Sequence, residues 1–178
     1  MALLQFSKNN SGAIQQLFIK TFSDSEGEAE GTLIGNLVDD LINNTDADDL
    51  DGFIATEDKQ IIGSIFFSRL TFQQVVNAFL LSPVAIHPEY QGKGIGQRLI
   101  NFGIEQLKKK SVKLIVTYGD PAFYSKVGFI QIDKQTIKPP FVLSQPEGWM
   151  AQSLDNDKII PIRGNTLCVK AFNYPELW

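Results

Sequence analysis

The chain has one cysteine and one histidine among its 178 residues. A lone cysteine, Cys168, excludes an intrachain disulfide and suits a reducing compartment. In "TLCVKAF" it reads as a small buried hydrophobe. Basic charge is scarce too: 16 Lys and Arg against 20 Asp and Glu leave a net charge of −4, which removes the electrostatic case for a general nucleic-acid binder. No stretch approaches the ~20 apolar residues of a membrane span. The opening "MALLQFSKNN" lacks the basic region and apolar run of a signal peptide. There is no repeat, low-complexity tract or linker. The expectation is one cytoplasmic domain over 1–178, with no membrane or nucleic-acid partner and with a homodimer allowed for. Its 43% hydrophobic and 20% charged residues are those of a globular protein.

What is present is periodic. Residues 2–7 read as a first strand, and Asn10 or Ser11 caps a helix carrying Ile14, Leu17, Phe18 and Phe22 at helical spacing. "SDSEGEAEG", residues 23–31, reads as an acidic loop. A second helix follows on Leu33, Ile34, Leu37, Val38, Leu41 and Ile42. From residue 52 the period changes to that of strands: a hairpin turning at "EDKQ", then "AFLLSPVAI". A helix over 95–109 ends in Lys108, Lys109 and Lys110, where the macrodipole favours cations. "VKLIVTYG" is apolar enough for a central strand. A short helix has Asp120 as N-cap, Pro121 at its first position and Gly128 past its end. "FIQID" is another strand. Residues 133–166, with Pro139, Pro140, Pro146 and Pro161, show little periodicity, and "NTLCVKAF" closes the sheet. This pattern implies a mixed α/β (α+β) fold of six or seven strands and about four helices.

One stretch needs a backbone without side chains. "HPEYQGKGIGQRLI", residues 87–100, sets three glycines just ahead of a helix, although glycine in regular structure costs about 0.5–1 kcal/mol relative to alanine. Strand, glycine loop and helix N-terminus in that order make an anion site. A P-loop would need a hydroxyl after its lysine, but Gly94 follows Lys93. A dinucleotide fingerprint starting at Gly92 would need a third glycine where Gln97 stands. A ligand-free turn leaves Gln91 and Lys93 unexplained.

Gln91-Gly92-Lys93-Gly94-Ile95-Gly96 resembles the [Q/R]-x-x-G-x-[G/A] signature of the GNAT acetyltransferase superfamily. "LSPVAIHPEY" looks like the strand before that loop, and "GDPAFYSKVGF" like the family's second cofactor segment. With the tail "VKAFNYPELW", the chain most resembles the YhbS-like branch. The resemblance implies a GNAT-type fold with a mostly antiparallel sheet whose strands 4 and 5 splay apart. It implies acetyl-CoA as donor, no metal, and a primary amine of unknown identity, small molecule or protein, as acceptor. Val84, Ala85 and Ile86 on the strand and residues 91–96, Ile95 and Gly96 included, would hold the pantetheine and pyrophosphate. Pro83, which cannot donate to a ladder, fits a strand whose neighbour has pulled away. Ile86 would supply the oxyanion donor from its N–H. Tyr124 would be the general acid and Phe123 a packing contact to the pantetheine. The carboxylate base of some family members falls at Leu80 here, so the base is open among Glu57, Asp24, Glu26 and Glu28 or a water chain. His87, beside the phosphate loop, reads as a strand-end residue. The alternative is a catalytically weak acyl-CoA-binding sensor or partner-binding module on the same scaffold.

Overall fold

The computed structural model of the chain describes residues 1–155 and 158–178. In chain order the elements are β1 (Ala2–Gln5), α1 (Ser11–Glu26), α2 (Glu28–Asn44), β2 (Leu50–Glu57), β3 (Gln60–Thr71) and β4 (Ala78–Ile86). Then come α3 (Ile95–Lys109), β5 (Leu114–Tyr118), α4 (Pro121–Tyr124), β6 (Ile130–Gln131), β7 (Trp149–Ser153) and β8 (Leu167–Cys168). Among the described residues this is a mixed α/β fold with an open sheet and four α-helices. The chain forms two compact units, Met1–Phe67 with Pro83–Gly103 and Ser68–Ser82 with Ile104–Trp178, and β3, β4 and α3 pass through both.

In the first unit β1 pairs antiparallel with β2, Ala2 opposite Thr56 through Gln5 opposite Phe53. β2 and β3 form the expected hairpin. Its two turn residues, Asp58 and Lys59, have φ of 49° and 67°, the handedness that a two-residue hairpin requires. The sheet is covered on both faces. On one, Phe6 and Phe18 meet Phe66 at ring distances of 5.3 and 6.1 Å. On the other, Phe53 meets Phe67 and, from α3, Phe102 at 6.0 and 5.5 Å. Such aromatic contacts add to the burial of large apolar surfaces.

The acidic stretch 23–31 is not a loop. α1 runs on to Glu26 and α2 starts at Glu28, with Gly27 at φ +100° as the whole connection. Polar composition misled the reading there. Glu28 and Glu30 occupy the first turn of α2, where carboxylates complement the macrodipole.

The second unit holds the sheet order β8-β3-β4-β5-β7-β6. β4 and β5 are parallel, β5 and β7 antiparallel, and β6 lies outside β7. β7 lies in the stretch where no strand was expected. Trp149, 1% exposed, opens it, and its indole N–H donates to the Ile137 carbonyl at 2.8 Å. "NTLCVKAF" does not close the sheet as a full strand: β8 is two residues, paired with the end of β3 through Leu70–Cys168 and Thr71–Leu167. Among the described residues no helix is long and apolar enough to cross a membrane.

Candidate active site

The glycine loop lies in the first unit. The His87 N–H donates to the Ile62 carbonyl at 2.9 Å, tying the end of β4 to β3. Successive N–H groups of a strand face opposite edges, so the Ile86 N–H is turned to the edge away from β3. The Ile86 carbonyl is held by two donors, Gln91 Nε2 at 3.0 Å and Thr21 Oγ1, from α1, at 3.4 Å. Val84 and Ile86 are half-buried, while Ala85 between them is fully buried. His87 Nδ1 accepts the Glu89 N–H at 3.3 Å and so caps the short turn Pro88–Tyr90, which makes it a strand-end residue.

Gly92 and Gly94 both have φ of +73°, and a Cβ on either would meet nothing within 4 Å. The glycines are therefore needed for backbone conformation, not to avoid a neighbour, and the space above them is open. The first bond of the α3 ladder is Arg98 N to Gly94 O, 3.1 Å. The N–H groups of Ile95, Gly96 and Gln97 precede it and have no acceptor within the helix, at the positive end of its dipole. The Ile95 side chain is buried, at 5% exposure. Lys93 Nζ rests on the Glu89 carbonyl at 3.0 Å and lies 4.9 Å from the Tyr90 ring centre. Open space over two left-handed glycines, a row of N–H groups and a neighbouring ammonium fit a diphosphate such as that of CoA. Among the described residues no group of three or more His, Cys, Asp or Glu side chains could hold a metal.

Tyr124 lies in the second unit. The β4–β5 register runs from Ala78 opposite Leu114 to Leu81 opposite Thr117, although β4 itself continues to Ile86. At this last pair the Thr117 hydroxyl donates to the Leu81 carbonyl at 2.8 Å. The Thr117 hydroxyl also acts on Tyr124, favouring its ionised form. Asp120 accepts the Ala122 N–H at 2.8 Å and starts α4 as its N-cap, as expected. Gly119 leaves room for the phenol, for a Cβ there would lie 2.6 Å from Tyr124 Cε2. Phe123 and Phe129 meet the Tyr124 ring edge-on at 5.1 and 5.8 Å. Burial raises the Tyr124 pKa to about 12; the hydrogen bond to Thr117 pulls the other way, and the charge of Asp120 adds to the rise.

The residues named from sequence thus divide. Val84, Ala85, Ile86 and residues 91–96 come together in the first unit, and Phe123 and Tyr124 in the second. Leu80 is 1% exposed, opposite Val116 in the core. Asp24, Glu26 and Glu28 are exposed around the helix junction, and Glu57 lies 3.9 Å from the N-terminal ammonium. Two hydroxyls were missed, Thr21 and Thr117. The second had a signal: one polar residue inside "LIVTY", a run otherwise apolar to its tyrosine.

Residues 48–131 match the acetyltransferase (GNAT) domain family. The uncharacterized N-acetyltransferase YjhQ of Escherichia coli (strain K12) is 30% identical over 153 residues, 83% of this chain and 81% of that protein. The uncharacterized N-acetyltransferase YhbS of the same strain is 32% identical over 106 residues, 58% of this chain and 60% of that one. Two solved structures share the fold. YhbS from Escherichia coli in complex with CoA has a TM-score of 0.77 at 24% identity, covering 97% of this chain and 92% of that one. A GNAT family acetyltransferase from Brucella melitensis in complex with acetyl-CoA has a TM-score of 0.75 at 24% identity, covering 96% and 97%. The family match and the relatives define an acyltransferase. The chain belongs to the GNAT family of N-acetyltransferases.

Proposed function

We propose that this protein moves an acetyl group from acetyl-CoA to a primary amine by direct attack of the amine on the thioester. The observation that carries the reading is the end of the β4–β5 pairing at Leu81 and Thr117, with the buried Tyr124 on α4, the helix that follows β5. In this reading the N–H groups of residues 91–96 take the pyrophosphate, and β4 from Val84 to Ile86 aligns the pantetheine. The Ile86 N–H is offered to the thioester oxygen, and Phe123 packs against the pantetheine. Tyr124 gives its proton to the departing sulfur. A pKa of about 12 keeps it protonated and able to donate at neutral pH. The two CoA-bound structures of the same fold support the donor assignment.

A second reading, an acyl-CoA-binding module with little turnover, is favoured by Leu80, which fills the position of a base with buried apolar side chain. Thiol release from acetyl-CoA, measured against a panel of small amines, amino-terminal peptides and lysine peptides, decides between them. Amine-dependent release supports the transferase. Binding of acetyl-CoA without release for any amine supports the module.

A further inference from the structure

Hydroxyls on helices commonly turn back onto their own backbone. Here Ser25 Oγ donates to the Thr21 carbonyl at 3.1 Å and Thr32 Oγ1 to the Glu28 carbonyl at 2.9 Å. Thr21, buried on α1, does otherwise. Its hydroxyl leaves the helix and donates to the Ile86 carbonyl, 3.4 Å away at the end of β4. Gln91 Nε2 donates to the same oxygen at 3.0 Å. A carbonyl oxygen can accept twice, and two side chains from separate segments fill this one. We propose that Thr21 and Gln91 are positioning residues that make the last residue of β4 a pure donor toward the thioester oxygen. The inference rests on the oxyanion role proposed for the Ile86 N–H.

In a strand the N–H and C=O of one residue point to the same edge. The His87 N–H is bonded to Ile62 of β3, so both polar groups of Ile86 lie on the opposite edge. This works against catalysis unless the carbonyl is covered. As the amine nitrogen bonds to the thioester carbon, the carbonyl π pair moves onto its oxygen. The pair returns when the carbon–sulfur bond breaks with its electrons on sulfur; the nitrogen gives up one proton and the sulfur gains one. In between, the negative oxygen at the Ile86 N–H lies on the same edge as the negative end of the Ile86 carbonyl dipole. An uncovered carbonyl would cancel part of what the N–H offers. The Thr21 hydroxyl and the Gln91 amide cover it with protons. They also fix the Ile86–His87 peptide plane at its oxygen, as the bond to Ile62 fixes it at its N–H. Donors set in advance at developing charge need no rearrangement during the reaction. The Gln91 side chain thus serves β4, while the N–H groups of its loop serve the diphosphate.

Thr21→Val removes the hydroxyl and keeps the branched shape, Thr21→Ser keeps the hydroxyl, and Gln91→Met removes the amide. Thiol release and thermal stabilisation by acetyl-CoA are measured for each, and for Thr21→Val combined with Gln91→Met. The expected kcat is about 3- to 20-fold lower for Thr21→Val and for Gln91→Met, a fraction of the loss for a whole oxyanion donor. KM for acetyl-CoA and the thermal shift should stay as in wild type. Thr21→Ser should return kcat to within about threefold of wild type, its hydroxyl being able to make the same bond. The combined variant should lose at least the product of the two, because each single change leaves one donor on the carbonyl. If Thr21→Ser is as slow as Thr21→Val, or if KM for acetyl-CoA and the thermal shift move while kcat does not, the proposal is overturned. If Thr21→Val fails to fold, Thr21→Ala carries the same comparison with Thr21→Ser. A further protein carries the α-hydroxy acid analogue of Ile86, which replaces its N–H by an ester oxygen and leaves the side chain in place. Unchanged kcat in that protein fails the oxyanion reading itself. A slow ester protein beside fast Thr21→Val and Gln91→Met sinks the clamp alone.

Discussion

Burial, more than any charged neighbour, sets the proton affinity of Tyr124. Its ring is packed by Phe123 and Phe129 and overlies Gly119, so a phenolate there would lose its water. Tyr124→Phe should keep acetyl-CoA binding and lower turnover by about 10²- to 10⁴-fold, the range for loss of one general acid. Unchanged turnover, measured by thiol release, would leave the phenol as packing. The raised pKa makes a separate prediction. The folded chain keeps this proton at pH values where the unfolded chain, near the ordinary value of 10.0, has lost it. The contribution to stability is therefore whole below about pH 10 and is lost as pH rises through about 12. In urea titrations wild type should lose stability across that window more steeply than Tyr124→Phe. Parallel slopes would mean that the phenol is not buried in solution.

At the scale of elements, the loop ahead of α3 makes the sharpest demand on sequence. Gly94→Val places a β-branched residue at φ +73°, costing about 1–2 kcal/mol, and points its side chain into open space. No protein atom lies within 4 Å of that Cβ, so the variant should fold and yet lose most of the thermal shift with acetyl-CoA. Equal shifts for variant and wild type would move the diphosphate elsewhere. This loop was legible because glycine, helix start and preceding strand all act locally. The α1–α2 junction was not, because its polar residues suit a loop and two exposed helix ends equally well. Gly27 alone, at φ +100°, turns one helix into the next. β7 was hidden for a different reason. Its identity as a strand comes from partners far away in the chain, β5 on one side and β6 on the other, and "WMAQS" carries no alternation of its own. Thr117 stands out locally as the polar residue of "LIVTY", but its place at the end of the β4–β5 pairing is set by β4, far away in the chain.

At the scale of the whole molecule, charge bears on the partners. A net charge of −4 disfavours an anionic donor at long range and favours a cationic acceptor. In the proposed reading the donor is served locally, by helix N–H groups and Lys93. For the acceptor, the exposed carboxylates of Asp24, Glu26 and Glu28 are gathered where α1 meets α2. Part of that acidity has a structural use, since Glu28 sits in the first turn of α2; Glu26, in the last turn of α1, opposes its own helix dipole. Glu26→Gln with Glu28→Gln should therefore change stability little, the two effects having opposite sign and each being about 0.3–1 kcal/mol at most. If these carboxylates steer the amine, the pair should raise the KM for the amine about two- to fivefold at low salt and leave that for acetyl-CoA alone. The effect should fade near physiological ionic strength, where screening sets in beyond ~8 Å. A fall in kcat with a displaced acid limb of the pH profile would instead make one of them the missing base. If neither constant moves at low salt, the acidic junction is solvated surface. The acceptor must then be sought in 133–166, of which 156 and 157 lie outside the described residues. An open cleft of about 630 Å³ there is lined by Ile132, Asp133, Thr136, Lys158 and Ile159. Hydrogen bonds from Thr136 hold the Asp133 carboxyl below the usual range, so it would meet a cationic amine fully ionised.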